Sequence, residues 1–125
     1  MKTQEDIDRQ NRTDTALESV NQERDEQQLK WGTQRHDWPV WLTVLAEEQG
    51  ELAQAILRLR EAERQGLDGL RPTILLEARE EAVQVAAVAV AMIEHIDEVL
   101  SPVAASQTKD KGQEWWDARK RKPGQ

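Results

Sequence analysis

Apolar residues in this chain recur at helical spacing. The first thirteen residues are polar and show no periodic apolar pattern; after them Leu17, Val20 and Leu29 form a sparse stripe ending at Trp31. Thr15 and Glu18 have the form of a capping box and Gly32 supplies a stop, so a first, mostly polar helix is expected here, packed along one narrow seam. Asp37 as N-cap and Pro39 in the first turn open a second helix. In it Trp41, Leu45, Leu52, Ile56 and Leu59 are spaced as one buried face requires. Gly66 ends that helix, residues 66–71 connect, and a third helix is predicted from Pro72 to Leu100, before Ser101-Pro102.

The stretch Val83 to Ile93 is apolar nearly all round. A helix apolar on every side is buried on every side, and a 125-residue chain has little interior in which to do that. One face is therefore expected to pack internally and another on a second subunit. A short amphipathic piece around Trp115-Trp116 closes the pattern, and no strand signature is present. The expectation is an all-α fold, a four-helix-type bundle assembled as a dimer or tetramer. It would carry a flexible N-terminal segment (1–13), a helical core (14–101) and a C-terminal segment (102–125) with a short helix and a basic tail.

Composition narrows the function classes. Cys is absent, so there is neither a disulfide framework nor a Cys-based zinc site, which is compatible with a reducing compartment. The N-terminus lacks the apolar run of a signal peptide, and the longest apolar run is about half the length that spans a bilayer. A soluble cytoplasmic protein with no membrane partner is expected. The net charge of −7 argues against nucleic-acid binding, which needs a basic surface. Arg119-Lys120-Arg121-Lys122 is the local exception and reads as a solvated end.

Two acidic clusters carry the candidate chemistry: Glu47, Glu48 and Glu51 on the second helix, and Glu77, Glu80 and Glu81 on the third. Residues three and four apart share a helix face, and like charges there repel by roughly 0.2–0.5 kcal/mol per pair when exposed. A chain that sets such groups beside its most apolar helix is expected to neutralise them with a cation. An all-oxygen donor set suits a hard ion such as Mg²⁺ or Mn²⁺, which takes further ligands from water and substrate phosphates. No Gly-rich phosphate loop is present, and neither His36 nor His95 follows a Glu by three positions as a di-iron bundle needs.

The run Glu47-Glu48-Gln49-Gly50-Glu51-Leu52 followed by Glu81-Ala82-Val83-Gln84-Val85 resembles the MazG-like all-α nucleoside triphosphate pyrophosphohydrolases, whose pattern is Glu-Glu-x-x-Glu on one helix and Glu-x-x-Asp on the next. The likeness covers roughly residues 23–100, and Lys30-Trp31-Gly32 with Gln34 and His36 is similar to the segment before that motif. It implies Mg²⁺-dependent cleavage of a nucleoside triphosphate between its α- and β-phosphates, in nucleotide-pool house-cleaning. On these positions Glu48, Glu51 and Glu81 match the principal metal ligands. Glu47 matches the carboxylate used for a further metal or for orienting the attacking water. Gln84 departs from the pattern, standing where the family has Asp: its amide oxygen can ligate a metal but brings no charge and cannot act as a base. Glu80 or Glu77 could supply the missing charge, although both also suit a helix N-terminus.

Around the motif, Lys30 is a candidate phosphate contact. Trp38 is open between base stacking and simple exposure, Trp41 is in phase with the core, and Trp31 reads as a packing anchor. His36 reads as an exposed loop residue, and Trp115-Trp116 as cover for an apolar seam. The competing reading is a non-catalytic helical dimerisation or nucleotide-binding module with a degenerate metal site, which Gln84 keeps open.

Overall fold

A computed structural model describes residues 1–101. The described residues form three α-helices and no strand: α1 (Gln4–Trp31), α2 (Trp38–Arg64) and α3 (Arg71–Val99). The chain divides into two compact units, Met1–Ala91 and Met92–Gln125. The described part of the second unit is the end of α3 and the turn after it. The fourth helix expected around Trp115-Trp116, and the basic tail, lie outside the described residues.

α1 begins eleven residues before the expected cap at Thr15. Thr3 caps it instead, in a reciprocal box in which Asp6 N–H donates to Thr3 Oγ1 (3.1 Å) and Thr3 N–H donates to Asp6 Oδ2 (3.0 Å). Thr15 is interior, its hydroxyl donating to Asn11 O at 3.0 Å. Nothing on α1 is fully buried. Local side-chain pairs such as Gln4–Asp8 and Gln10–Asp14, each 2.9 Å, support this polar helix.

The other helix ends fall where single residues dictate. Gly32 adopts φ +70° and its N–H closes α1 on Gln28 O at 2.9 Å. Asp37 caps α2, with Pro39 in the first turn. α2 ends in a Schellman arrangement: Gly66 at φ +71° donates to Glu63 O (3.1 Å) and Leu67 N–H reaches Ala62 O (2.9 Å).

Within the first unit the helices run up, down, up. Arg58 pairs with Glu77 (3.1 Å) and Arg71 with Glu63 (3.2 Å), so α2 and α3 are antiparallel. Arg79 donates to Ser19 Oγ (2.9 Å), while Gln27, further along α1, shares a hollow with Val88 and Ala91, so α1 and α3 run parallel. The buried core is Trp41, Ala55, Ala62, Ala87, Val88 and Ala91. On α2 the expected stripe holds in Trp41, which is buried, and in Leu45, Leu52 and Leu59, which are half-buried, but the fully covered positions beside Trp41 are Ala55 and Ala62, and Ile56 is 50% exposed. Small residues let helix axes approach closely, and the larger aliphatics then stand at the flanks. On α3 every residue from Val83 to Met92 is at least half-buried, with Ala87, Val88 and Ala91 fully buried, and only Ile93 of the apolar stretch is exposed.

Candidate metal centre

Trp41, Glu48, Ala55 and Ala62 follow one another at intervals of seven on α2, a spacing that keeps them on one line facing the neighbouring helices. The most buried line of the helix therefore contains a carboxylate. On α3, Glu81 stands seven positions before the buried Val88 and is carried inward with it. Glu51, one turn after Glu48, completes the cluster from the exposed edge.

Carboxylate oxygens of Glu48, Glu51 and Glu81 lie within 4.8 Å of one another. Glu48 and Glu81 are half-buried, and one oxygen of each, Oε2, is buried with no hydrogen-bond partner. A buried acceptor left without a donor costs about 1–3 kcal/mol, more when charged. Burial pushes the Glu48 carboxyl above its ordinary range, and the charges of Glu51, Glu81, Glu23 and Glu47 push it further. Burial also raises Glu81, helped by a hydrogen bond and repulsion from Glu51 and by Glu80, with Arg58 opposing. This donor set fits a hard divalent cation: every donor is an oxygen, two of the oxygens have no partner, and the charges repel one another until something positive arrives.

The remaining expected residues are distributed around this cluster. Glu47 is exposed on α2 and acts on Glu48 through its charge. Gln84 is half-buried and, with Glu80, lines a hollow of about 350 Å³ that also involves Glu23, Glu26 and Arg79. Glu80 is exposed and additionally borders a hollow with Arg58, Glu77 and Glu81. Glu77 is engaged by Arg58 at 3.1 Å.

Glu23 of α1 was not among the expected residues. It is half-buried, and its carboxyl is raised by burial, by Glu26 and by Glu80. Its signal in the sequence is faint: with Ser19 and Gln27 it repeats every fourth position along the narrow half-buried seam of α1.

Beside the carboxylates lies a cavity of about 300 Å³ with Glu48, Trp31, His36, Trp41, Gln27 and Gln34 in its wall. His36 meets the Trp41 ring edge to face at 4.7 Å, so it is part of a wall and not a free loop side chain. Trp31 is 60% exposed and serves this cavity more than any packing seam. Trp38 is not in the lining; it opens α2, with its backbone N–H on Asp37 Oδ1 at 3.2 Å. The Lys30 ammonium rests over the Trp31 ring, 4.8 Å from its centroid. No helix among the described residues is long and apolar enough to cross a membrane. No family model, curated protein or solved structure matches this chain.

Proposed function

We propose that the protein is a Mg²⁺-dependent nucleoside triphosphate pyrophosphohydrolase of the MazG-like type, with Mn²⁺ as a possible substitute ion. The observation that carries the reading is the pair of partnerless buried oxygens on Glu48 and Glu81, inside a carboxylate cluster 4.8 Å across. The aromatic cavity that shares Glu48 in its wall supports a flat, base-bearing substrate.

Glu48, Glu51 and Glu81 would hold the metal, with Gln84 as a neutral oxygen ligand and Glu80 as the nearby negative charge. The bound cation supplies charge neutralisation on the phosphoryl oxygens and a more acidic water. Glu47, exposed and adjacent, orients the water that attacks the α-phosphorus and accepts its proton. The bond from the α-phosphorus to the bridging oxygen breaks, the electron pair leaves with that oxygen, and the products are the monophosphate and pyrophosphate. Trp31, the exposed ring of the cavity, flanks the base, and Lys30, beside Trp31, lies within reach of the substrate. Trp38, outside the cavity wall, has at most a peripheral part.

Large aliphatic side chains stand open on α2 and α3, among them Leu42, Leu57 and Leu76. This supports burial against a second copy, as a dimer or tetramer closing a four-helix-type arrangement. A cytoplasmic location belongs to the same reading, since nucleotide pools are its substrate. Gln84 favours the second reading, a non-catalytic nucleotide-binding or dimerisation module, because it removes a charge from the second motif. Pyrophosphate release from a panel of nucleoside triphosphates, with Mg²⁺ or Mn²⁺ and with chelator, separates the two. Release that requires the ion and is lost in Glu48→Gln and Glu81→Gln is the expected result, and absence of release from every nucleotide would leave the non-catalytic module.

A further inference from the structure

α2 has a second apolar face that the three-helix unit leaves open. Leu42 and Leu57 are 66% and 67% exposed, and Ala46, Gln49 and Ala53 are exposed between them. At 3.6 residues per turn these positions, with Gly50 and Ile56, lie between roughly 80° and 200° around the helix from Glu48. Glu47, Glu51 and Arg58 occupy the other flank, roughly 260–300° round, from which Arg58 reaches Glu77 of α3 at 3.1 Å. The open face is therefore separate from the carboxylate cluster, and between Leu42 and Arg60 it carries no acidic residue.

Gly50 points to the occupant. It stands in the middle of a 27-residue helix, where glycine is the poorest choice after proline. A Cβ at this position would meet nothing within 4 Å in the single chain, so nothing inside the chain requires glycine there. The large apolar residues lie to either side of it, Leu42 towards one end and Ile56 with Leu57 towards the other. A two-fold axis beside Gly50 makes this face self-complementary, as a contact between identical copies must be. It sets Leu42 on the partner's Ile56 and the partner's Leu57, and Ala46 on the partner's Ala53. Gln49 meets the partner's Gln49 amide to amide. The two glycines meet beside them, where the missing side chains let the helix axes approach.

The ends of the face match in charge. Arg60 makes no ion pair among the described residues. It comes level with the start of the partner's α2, where an Asp37 carboxylate caps the helix and the Trp38 ring is 48% exposed. A guanidinium is attracted to both groups. From Trp38 to Arg60 the seam is about 33 Å long and, at a helix width of about 10 Å, covers roughly 330 Å² of each copy. A standard interface takes about 800 Å² per partner, so the contact must extend to the flanks of α2. Only a close crossing allows that, and a side chain at position 50 would prevent it.

We propose that a second copy of this chain docks on the open face of α2, the two α2 helices crossing antiparallel about a two-fold axis beside Gly50; this rests on the self-association proposed above and not on the hydrolysis.

The chain has no cysteine, so each introduced thiol reports alone. In the full chain under mild oxidation, Gln49→Cys should link to its own copy. Ala46→Cys and Ala53→Cys should not link singly, because each lies about 10 Å along the axis from its copy, beyond the roughly 7 Å that a disulfide spans. Combined in one chain, they should link. Glu51→Cys, at nearly the same level as Gln49 but on the other flank, should stay reduced. Gly50→Leu should weaken self-association by about tenfold or more in sedimentation while keeping or raising helicity. Arg60→Glu should weaken it several-fold, and less at high salt. Self-linking of Ala46→Cys alone marks a parallel pairing, and linking of Glu51→Cys in place of Gln49→Cys marks another face. Either result overturns the proposal and leaves self-association and hydrolysis standing, and so does an unchanged mass of Gly50→Leu. If Gly50→Leu loses helicity, the thiol pattern decides alone. A native chain that stays a monomer at high micromolar concentration overturns the seam together with the subunit contact proposed above, whatever the hydrolysis assay shows.

Discussion

Glu48→Gln should make the metal-free protein more stable and, by the same change, deaf to divalent ions. Glu48 faces two other carboxylates within 4.8 Å. At that distance a pair of like charges repels by about 3.5 kcal/mol at an effective dielectric of 20, and by about 0.9 kcal/mol in bulk water. Glu51 is exposed, which moves its share toward the lower figure. The new amide also brings an N–H donor to a place where Glu81 Oε2 has none. The net gain should be about 1–3 kcal/mol near neutral pH. At about 4–8 °C per kcal/mol for a domain of this size, Tm should rise by roughly 4–24 °C in chelator.

Divalent ions should reverse the ranking. A ligand at a hundred times its Kd stabilises the folded state by about 2.7 kcal/mol, a gain open to the native protein and largely lost to Glu48→Gln. Thermal melts followed by circular dichroism, in chelator and in millimolar Mg²⁺ or Mn²⁺, measure both effects. Equal responses of native and variant protein to the ions, or a variant no more stable in chelator, would refute the reasoning.

The metal-free protein should also lose stability as pH rises. Glu23, Glu48 and Glu81 all titrate above the ordinary 4.5, so the folded chain binds more protons than the unfolded one from that point upward. Their contribution is complete below the unfolded value and is lost as pH climbs through the raised ones, so Tm in chelator should fall as pH is raised above the ordinary 4.5, and Mg²⁺ should flatten the fall. Trp31→Ala should weaken nucleotide binding about tenfold at little cost in Tm, whereas Trp38→Ala should change neither in the same fluorescence titration. Gln84→Asp adds a charged oxygen beside the centre and should tighten Mn²⁺ binding in calorimetry; an unchanged affinity would place this residue outside the ligand set. Leu57→Asp should lower the mass seen by light scattering without loss of helicity, because Leu57 is 67% exposed in the single chain; an unchanged mass would move the subunit contact elsewhere.

Much of the fold is legible because single residues impose it. Gly32, Asp37 with Pro39, and Gly66 set helix ends through backbone conformation and missing hydrogen bonds, which a sequence displays directly. The start of α1 is not displayed in this way. Its capping box, Thr3 with Asp6, sits in a polar stretch with no apolar period to mark it, while Thr15 and Glu18 imitate a box inside the helix. The core of α2 misleads for a different reason. Large aliphatics attract attention, yet close helix contact favours small side chains, so Ala55 and Ala62 are buried while Ile56 is half open. The carboxylate cluster is legible because Glu48 and Glu51 share a face and a second acidic group follows on the next helix. Glu23 is hidden among the acidic residues of α1, and only packing singles it out. His36 meets Trp41, and Trp31 joins the same cavity wall, through a loop whose path no local pattern encodes.

The line Trp41–Glu48–Ala55–Ala62 also bears on how function and stability are linked. An aliphatic side chain half-buried at position 48 in place of Glu would contribute about 1 kcal/mol, roughly half the figure for full burial, and the same holds at 81. The chain instead places carboxylates there and leaves one oxygen of each without a donor, a further cost of about 1–3 kcal/mol per group. Elsewhere caps, turns and buried alanines all favour the same three helices, so this is a local conflict in an otherwise consistent sequence. Such conflicts mark sites where selection has favoured chemistry over packing. With a core made of one tryptophan, one valine and four alanines, the first unit has little reserve to absorb that conflict. A cation shared by Glu48, Glu51 and Glu81 would remove the repulsion and satisfy the partnerless oxygens in one step. Occupancy of the centre and folding of the three-helix unit are therefore expected to be thermodynamically coupled, and a shift in Tm on adding divalent ion reads out that coupling directly.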